Sequence, residues 1–206
     1  MSSGKRKALD SSTKFSASAR VFAERVGHNL VHGEHVRMIV SRLFEELQPV
    51  HKLPKKCSTM LQLAALLHDV GEVVHRKSHH KHSEYLILNG RIPGLDSPER
   101  EMVAATVRGH RKSLPSEKKH QTFGSLEPRQ RQQVTRMTTL LRLADTLDQQ
   151  RRGDVVALST QLKGKKVLLG VSTKAKGAAT PEYIANYCKD FEDVFAQGID
   201  SILTPA

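Results

Sequence analysis

The chain has 206 residues, of which 38% are hydrophobic and 26% are charged, a balance typical of folded globular proteins. No apolar run approaches the roughly 20 residues of a bilayer span, and the basic start has no apolar segment behind it that would indicate a secretory signal. The net charge of +12 favours phosphate-rich partners, and the 4% aromatic content without Trp argues against stacking on single-stranded nucleic acid. Cys57 and Cys188 fit no paired metal or redox spacing, so we expect a cytoplasmic location.

The first part of the chain predicts a tail followed by helices. Residues 1–17 are rich in Ser and Lys and predict a flexible basic tail. Apolar residues at spacings of three and four between Val36 and Leu47 predict a helix. A second helix is predicted from Ser58 to Asp69, with Gly71 as its C-terminal stop.

Three further helices are predicted before residue 152. A short one runs from Ser83 to Asn89. Ser97-Pro98-Glu99 predicts the start of another, with Ser97 as the capping residue, and this helix continues to His110. Pro128 opens a longer helix whose apolar residues, up to Leu147, share one side.

The pattern changes after residue 152. Val155–Leu162 and Lys166–Val171 predict two strands of a hairpin, and a last helix follows Pro181. We therefore predict a mainly α fold, with a helical core at residues 18–152 followed by a small β-hairpin and a C-terminal helix packed on it at residues 153–206.

Four residues are candidate ligands of a divalent metal ion. His68 and Asp69 are neighbours at a predicted helix end, and His32 precedes Val36 by four residues, on the inner side of its helix. Asp145 also lies on an inner helix face, where a carboxylate is costly unless it is paired or bound to a metal. Imidazole and carboxylate together suit a hydrolytic metal ion.

Two more histidines fit the same site. His110 follows Val103 by seven residues, on the buried face of its helix, and His82 immediately precedes a short helix. A single histidine on an apolar face is more often a satisfied core residue than a ligand. Four such histidines with two inward aspartates favour a metal site.

In this order, the residues resemble the HD superfamily of metal-dependent phosphohydrolases, whose central motif is matched by residues 66–71. The chain most resembles the C-terminal HD domain of the exopolyphosphatase/guanosine pentaphosphate phosphatase (Ppx/GppA) family. Four segments carry this likeness: residues 79–87, 92–94, 109–112 and 141–148.

The resemblance implies a role for each candidate. His32, His68, Asp69 and Asp145 would hold one metal ion, and Asp69 would bridge to a second ion held by His82 and His110. His68 and Asp69 would form the catalytic centre, where a metal-activated hydroxide attacks phosphorus. The donor set admits Mn, Fe, Mg or Zn, as one ion or two.

Basic residues close to these ligands in sequence are candidate phosphate clamps. They are Arg76, Lys77, Lys81, Arg111, Lys112 and Arg142. Taken singly, each could equally be a solvated surface residue. His75, His79 and His80 stay open as spare ligands, phosphate donors or exposed imidazoles.

The chain departs from the resembling proteins at three points. Glu72 follows the motif glycine where dinuclear HD enzymes often carry Lys, and Gly109 stands where the family tends to have an aromatic residue. The 206 residues leave no room for the family's actin-like ATPase-type domains, so we expect a stand-alone HD domain.

The leading hypothesis is an HD-type phosphohydrolase that acts on a nucleotide or on a (poly)phosphate ester or anhydride. The alternative is a non-catalytic module that binds polyphosphate or a guanosine alarmone. Charge alone would also suit a nucleic-acid partner, which is less favoured because a polyanion binder needs no buried carboxylates. We expect no membrane partner, and a homodimer is compatible with the sequence.

Overall fold

The computed structural model describes residues 16–174 and 181–205. The predicted basic tail lies outside the described residues except for its last two positions, which belong to the first helix. The described part of α1 covers residues 16–25. The other helices are α2 (Val31–Glu46), α3 (Gln48–His51), α4 (Lys56–Leu67), α5 (His79–Asn89), α6 (Glu99–Arg108), α7 (Gln121–Gly124), α8 (Pro128–Leu147) and α9 (Pro181–Phe195).

The mainly α fold is confirmed, and most predicted helices occur with ends shifted by a few residues. Helix α2 begins at Val31, before the first apolar residue of its predicted spacing, and α5 begins at His79 rather than Ser83. Ser97 does not cap α6: Pro98 is the N-cap, and no side chain makes the cap hydrogen bond. At the start of α8, Glu127 and Gln130 form a capping box around Pro128.

The helical core forms because α2, α4, α6 and α8 pack against one another. Each contributes apolar residues at helical spacing, such as Val36 and Leu43 on α2 and Leu141 on α8, all fully buried. Helix α4 is apolar around most of its surface, which fits its contacts with α2, α6 and α8. The ends of these four helices supply five of the six polar residues of the site described below, and the start of α5 supplies the sixth.

A three-stranded sheet follows the helical core. Strands β1 (Val155–Lys163) and β2 (Lys166–Thr173) form the predicted antiparallel hairpin. Strand β3 (Gly198–Pro205) was not predicted, and it pairs parallel with β2 after the crossover through α9. Its partner is about 30 residues away in sequence, so no local turn signal announces the pairing.

The C-terminal elements contact the core mainly through α9 and α8. Phe191 on α9 is buried, and Arg142 on α8 forms an ion pair with Asp190, with Nη1 and Oδ2 2.8 Å apart. Among residues 16–174 and 181–205, none of the helices has both the length and the apolar content that crossing a membrane requires.

Candidate metal centre

Six histidine and aspartate side chains converge where the core helices meet. Helix α2 supplies the first, the segment that ends α4 supplies two, and the start of α5, the end of α6 and α8 supply one each. They are His32, His68, Asp69, His79, His110 and Asp145. The four main helices of the core and the start of α5 therefore meet at one cluster of histidine and aspartate side chains.

The turn after α4 directs His68 and Asp69 into this cluster. It is pinned by Ser83, whose hydroxyl donates to the His68 carbonyl and accepts from the Gly71 amide, both at 2.8 Å. A Cβ on Gly71 would lie 2.3 Å from the His79 carbonyl oxygen, so only glycine lets α5 approach this closely. The motif glycine thus brings His79 next to Asp69.

Backbone carbonyls fix which nitrogen of each buried imidazole faces the cluster. Nδ1 of His68 donates to the Ala65 carbonyl at 2.7 Å, and Nδ1 of His110 donates to the Val107 carbonyl at 2.6 Å. His79 does the same to the carbonyl of Arg76 at 3.0 Å. A proton on Nδ1 leaves a lone pair on Nε2, which is how proteins orient a metal-binding histidine.

The first donor set contains His32, His68, Asp145 and one oxygen of Asp69. Nε2 of His32 and of His68 lie 3.1 and 3.5 Å from Asp145 Oδ1, and His68 Nε2 lies 3.4 Å from Asp69 Oδ2. His32 is held from behind by Asp148, whose Oδ2 accepts from Nδ1 at 2.8 Å. Asp148 therefore acts as the carboxylate that orients a histidine donor.

The second donor set uses the other oxygen of Asp69. Its Oδ1 lies 2.9 Å from His79 Nε2 and 3.6 Å from His110 Nε2. The two Nε2 atoms are only 3.0 Å apart, although both Nδ1 atoms donate to carbonyls. Two facing lone pairs repel unless a proton or a metal cation lies between them. Asp69 is therefore shared between two sets of donors.

The electrostatics of the cluster favour a cation. Burial alone would lower the pKa of His68, but Asp69 and Asp145 outweigh it and hold the pKa well above its ordinary value. Burial would raise the pKa of both aspartates, but their histidine neighbours hold each pKa far below the usual range. Both carboxylates are therefore ionised at neutral pH.

These residues fit a divalent metal. His68 Nε2 is fully buried, yet it has no hydrogen-bond partner within the described part of the chain. Two ligands on one ion stand about 3 Å apart when each bond is about 2.0–2.2 Å long, close to the separations in both donor sets. Buried imidazole nitrogens and carboxylates are also the donor types that Zn²⁺, Mn²⁺ and Fe²⁺ accept. These donors, with Glu72 as an addition, occur in three groups that could hold an ion: His32–His68–Asp145, His68–Asp69–His110 and Asp69–Glu72–His79.

The sequence-predicted ligands are brought together with one difference. His32, His68, Asp69, His110 and Asp145 all lie in the cluster, whereas His82 does not, and His79 stands where His82 was expected. The reason is the earlier start of α5. His79 lies four residues before Ser83, which faces the turn after α4, so the two share a helix face, while His82 is rotated about 100° from Ser83.

Two further residues escaped the sequence reasoning as site residues. Asp148 is three residues beyond Asp145, at the C-cap of α8, and that spacing could have suggested it. No sequence pattern marks Arg151 as a site residue, because it reaches Asp69 only through the turn that follows α8. Its guanidinium forms an ion pair with Asp69 Oδ2 and a bidentate pair with Glu72, at 2.9 and 3.0 Å.

Most of the predicted phosphate clamps lie around one cavity. This basic cavity, of about 470 Å³, is lined by His79 and His80, by Ser78 and Tyr187, and by five of the six predicted basic residues, namely Arg76, Lys77, Arg111, Lys112 and Arg142. Lys81 is exposed on α5 and is not among the lining residues. His79 lines this cavity and also belongs to the second donor set, so the cavity adjoins that set.

The arginine and lysine residues of the basic cavity differ in their freedom. Arg142 is nearly buried and pairs with Asp190, donates to the Lys112 carbonyl at 2.9 Å and lies over the ring of Tyr187. These contacts make it a link between α8, the loop after α6 and α9 rather than a free phosphate ligand. Arg111 and Lys112 are exposed.

Comparisons with known proteins agree on one family. The family model described as Ppx/GppA phosphatase, domain III, matches residues 16–180. Three similar proteins are each named guanosine-5'-triphosphate,3'-diphosphate pyrophosphatase. That of Pseudoalteromonas translucida is 36% identical over 55 residues, which is 27% of this chain and 11% of the relative.

The two other relatives align over longer stretches. The Aeromonas hydrophila protein is 31% identical over 117 residues, 55% of this chain and 22% of the relative. The Aeromonas salmonicida protein is 28% identical over 155 residues, 74% of this chain and 30% of the relative. The matched part of the chain thus spans less than a third of each of these relatives.

Proposed function

Because this chain belongs to the Ppx/GppA phosphatase domain III family, we propose that it is a divalent-metal-dependent phosphohydrolase of the HD type. Its substrate would be a nucleotide carrying several phosphates, or another (poly)phosphate ester or anhydride. The relatives' name supports this class, since it describes proteins that cleave a phosphoanhydride of a guanosine nucleotide. The single observation that carries the proposal is a buried double donor set that adjoins a basic cavity.

The first donor set would hold one ion through His32, His68, Asp69 and Asp145. The second would hold another ion through Asp69, His79 and His110. When bound, such a metal supplies an activated water and stabilises the negative charge that develops on the phosphoryl oxygens. The two oxygens of Asp69, one toward each set, support its role as the shared ligand.

The protein's own side chains would fix the substrate by charge. Four exposed basic residues line the basic cavity, namely Arg76, Lys77, Arg111 and Lys112. Their positive charges would draw a phosphate chain toward His79 and hold it by charge-assisted hydrogen bonds. A nucleoside part could extend away from these residues, since the cavity needs to accept only the phosphates.

The organisation of the chain supports the same proposal. We propose residues 18–152 as the metal-binding domain and residues 153–206 as an appendage that closes one wall of the basic cavity through Tyr187. We also propose a cytoplasmic location, which the presence of only two cysteines, Cys57 and Cys188, supports.

A hydrolysis screen with defined metal content tests the proposal. Purified protein is loaded with Mn²⁺, Fe²⁺, Mg²⁺ or Zn²⁺, its metal content is measured, and phosphate release is followed from guanosine nucleotides and from inorganic polyphosphate. We expect release that depends on the metal and disappears with a chelator. His82→Ala is the matched control for His79→Ala in this assay, because His82 lies on the same helix as His79 but outside the cluster.

One result would contradict catalysis and favour the binding alternative. If metal-loaded protein binds guanosine nucleotides or polyphosphate but releases no phosphate with any of the four metals, the chain is a binding module. If it binds no metal at all, the metal centre itself is refuted.

A further inference from the structure

We infer that Arg151 is a phosphate-contacting residue of this site and that Glu72 is its positioning residue. The inference rests on the proposed function, because the phosphate in question is the one that the metal centre would act on. It names a residue pair that neither the family match nor the sequence pattern assigns. Four observations support it: the turn that carries Arg151, its contacts, its remaining donors and the cavity beside it.

The turn after α8 is built to hold Arg151 at the cluster. The Arg151 amide donates to the Asp148 carbonyl at 2.7 Å, and the Gly153 amide donates to Asp148 Oδ1 at 2.9 Å. Arg151 has a φ of 54°, in the left-handed region that residues other than glycine rarely adopt. Asp148 also orients His32, so a single aspartate fixes both a metal ligand and the turn that positions Arg151.

Glu72 holds the guanidinium in one orientation. Nη1 and Nη2 donate to its two carboxylate oxygens at 3.0 and 2.9 Å, the parallel arrangement that makes arginine–carboxylate pairs directional. Nη2 also donates to Asp69 Oδ2, the oxygen that faces the first donor set. One hydrogen bond therefore separates the guanidinium from the shared metal ligand.

The guanidinium keeps donors for a ligand. Arginine carries five N–H donors, and the described contacts use three of them, which leaves Nε–H and one Nη1–H. A cation on Asp69 would also compete for Oδ2 and release the Nη2–H. That Nη2–H would then be available to a phosphoryl oxygen without any change in the fork to Glu72.

Space for such a ligand exists beside Arg151. A second cavity, of about 400 Å³, is lined by Arg151 together with His32 and Asp148, and it shares no lining residue with the basic cavity described above. Two other arginines line it, but each is paired with an acid outside the cluster, Arg37 with Glu34 and Arg152 with Asp154. Arg151 is thus the arginine of this cavity that joins it to the metal ligands.

Titration of inorganic phosphate into Mn²⁺-loaded protein by calorimetry tests the inference, with metal content measured for every variant. We expect Arg151→Gln to weaken phosphate binding by about 10- to 100-fold, the range for losing a hydrogen bond between charged groups. Arg151→Lys keeps the charge but loses the fork, and we expect a loss of about 10-fold. Arg42→Gln, an exposed arginine of α2 that lines neither cavity, is the control and should bind phosphate as the wild type does.

A double-mutant cycle tests the role of Glu72. Glu72→Gln should weaken phosphate binding by about 3- to 10-fold when Arg151 is present and have no effect in Arg151→Gln, because a positioning residue acts only through its partner. An effect of Glu72→Gln that persists without Arg151 would overturn the positioning role. Arg151→Lys keeps the test valid if the loss of charge prevents folding.

Other results separate this inference from the proposed function. Unchanged phosphate affinity in Arg151→Gln overturns the inference and leaves the metal centre intact. A gain of bound metal in that variant with unchanged phosphate affinity would make Arg151 only a competitor for the metal site, and would also overturn the inference. If wild-type protein binds no metal, the proposed function fails, and the same titration of metal-free protein decides whether Arg151 contacts phosphate.

Discussion

Two kinds of buried histidine occur in this molecule, and the contrast between them shows what distinguishes a ligand from a core residue. His51 is fully buried and both of its ring nitrogens bond to backbone: Nε2 donates to the Phe44 carbonyl and Nδ1 accepts from the Leu53 amide, each at 2.8 Å. His68 is equally buried, but only its Nδ1 is bonded, and its Nε2 faces two carboxylates. The state of the second nitrogen, rather than burial, separates the two roles.

The largest expected effect comes from removing the shared carboxylate. Asp69→Asn should reduce bound Mn²⁺ below one ion per chain and lower phosphate release at least about 1,000-fold, beyond the effect of losing a residue that only orients a ligand. Elemental analysis and the hydrolysis assay measure both. Retention of two ions in Asp69→Asn would refute the shared-ligand role.

His79 and His82 allow a direct comparison, because they lie three residues apart on α5 and only His79 shares the helix face of Ser83. His79→Ala should weaken Mn²⁺ binding at the second donor set by about 100-fold, since one of its donors is lost. His82→Ala should leave metal binding unchanged. Calorimetric titration of both variants with Mn²⁺ checks this, and the reverse ranking would restore His82 as the ligand.

Asp148 should have a smaller effect because it orients His32 without facing the ion. Asp148→Asn is expected to weaken metal binding by about 10-fold, the lower range for a carboxylate behind a metal-bound histidine. The same Mn²⁺ titration measures it. A loss as large as that of Asp69→Asn would mean that Asp148 is itself a ligand.

The contribution of the basic cavity to phosphate binding should depend on salt concentration. Lys112→Ala is expected to weaken phosphate binding by no more than about 10-fold, and the difference from wild type should shrink as salt rises, because exposed charges are screened. Phosphate titrations at two salt concentrations check this. Lys81→Ala is the control, since Lys81 lies outside the cavity, and an equal effect there would indicate only general charge attraction.

The smallest effect concerns His51, whose two ring nitrogens both bond to the backbone. Burial lowers the pKa of His51 below the ordinary value of about 6.5. Below that pH, His51 is protonated in the unfolded chain but stays neutral in the folded chain. The contribution of His51 to stability therefore falls as the pH drops through about 6.5. It levels off below the folded-state pKa.

Unfolding by urea at pH 8 and pH 5, for metal-free wild type and His51→Gln, measures this contribution. We expect the stability difference between the two proteins to shrink toward pH 5, by about 1.4 kcal/mol for each unit by which the pKa is lowered. A difference that grows toward pH 5 would show that His51 is protonated in the fold.

Much of the fold could be predicted because its signals are local. The helical spacing around Val36 and Leu141 and the alternation of Val155–Leu162 gave the core helices and the hairpin. Strand β3 could not be predicted, because it pairs with β2 across the whole of α9 and has no turn of its own. The earlier start of α5 was missed because four basic or polar residues, His79 to His82, carry no apolar periodicity.

The sequence by itself determined five of the six residues in the cluster, because His32, His68, Asp69, His110 and Asp145 each lie at a helix end or on an apolar helix face. It also determined the basic residues near them. Only the tertiary structure decided between His79 and His82, since that choice depends on how α5 rests on Gly71 and Ser83. Only it brought Arg151 to Asp69, because the position of Arg151 depends on the turn held by Asp148 and on Glu72, which is 79 residues away in sequence.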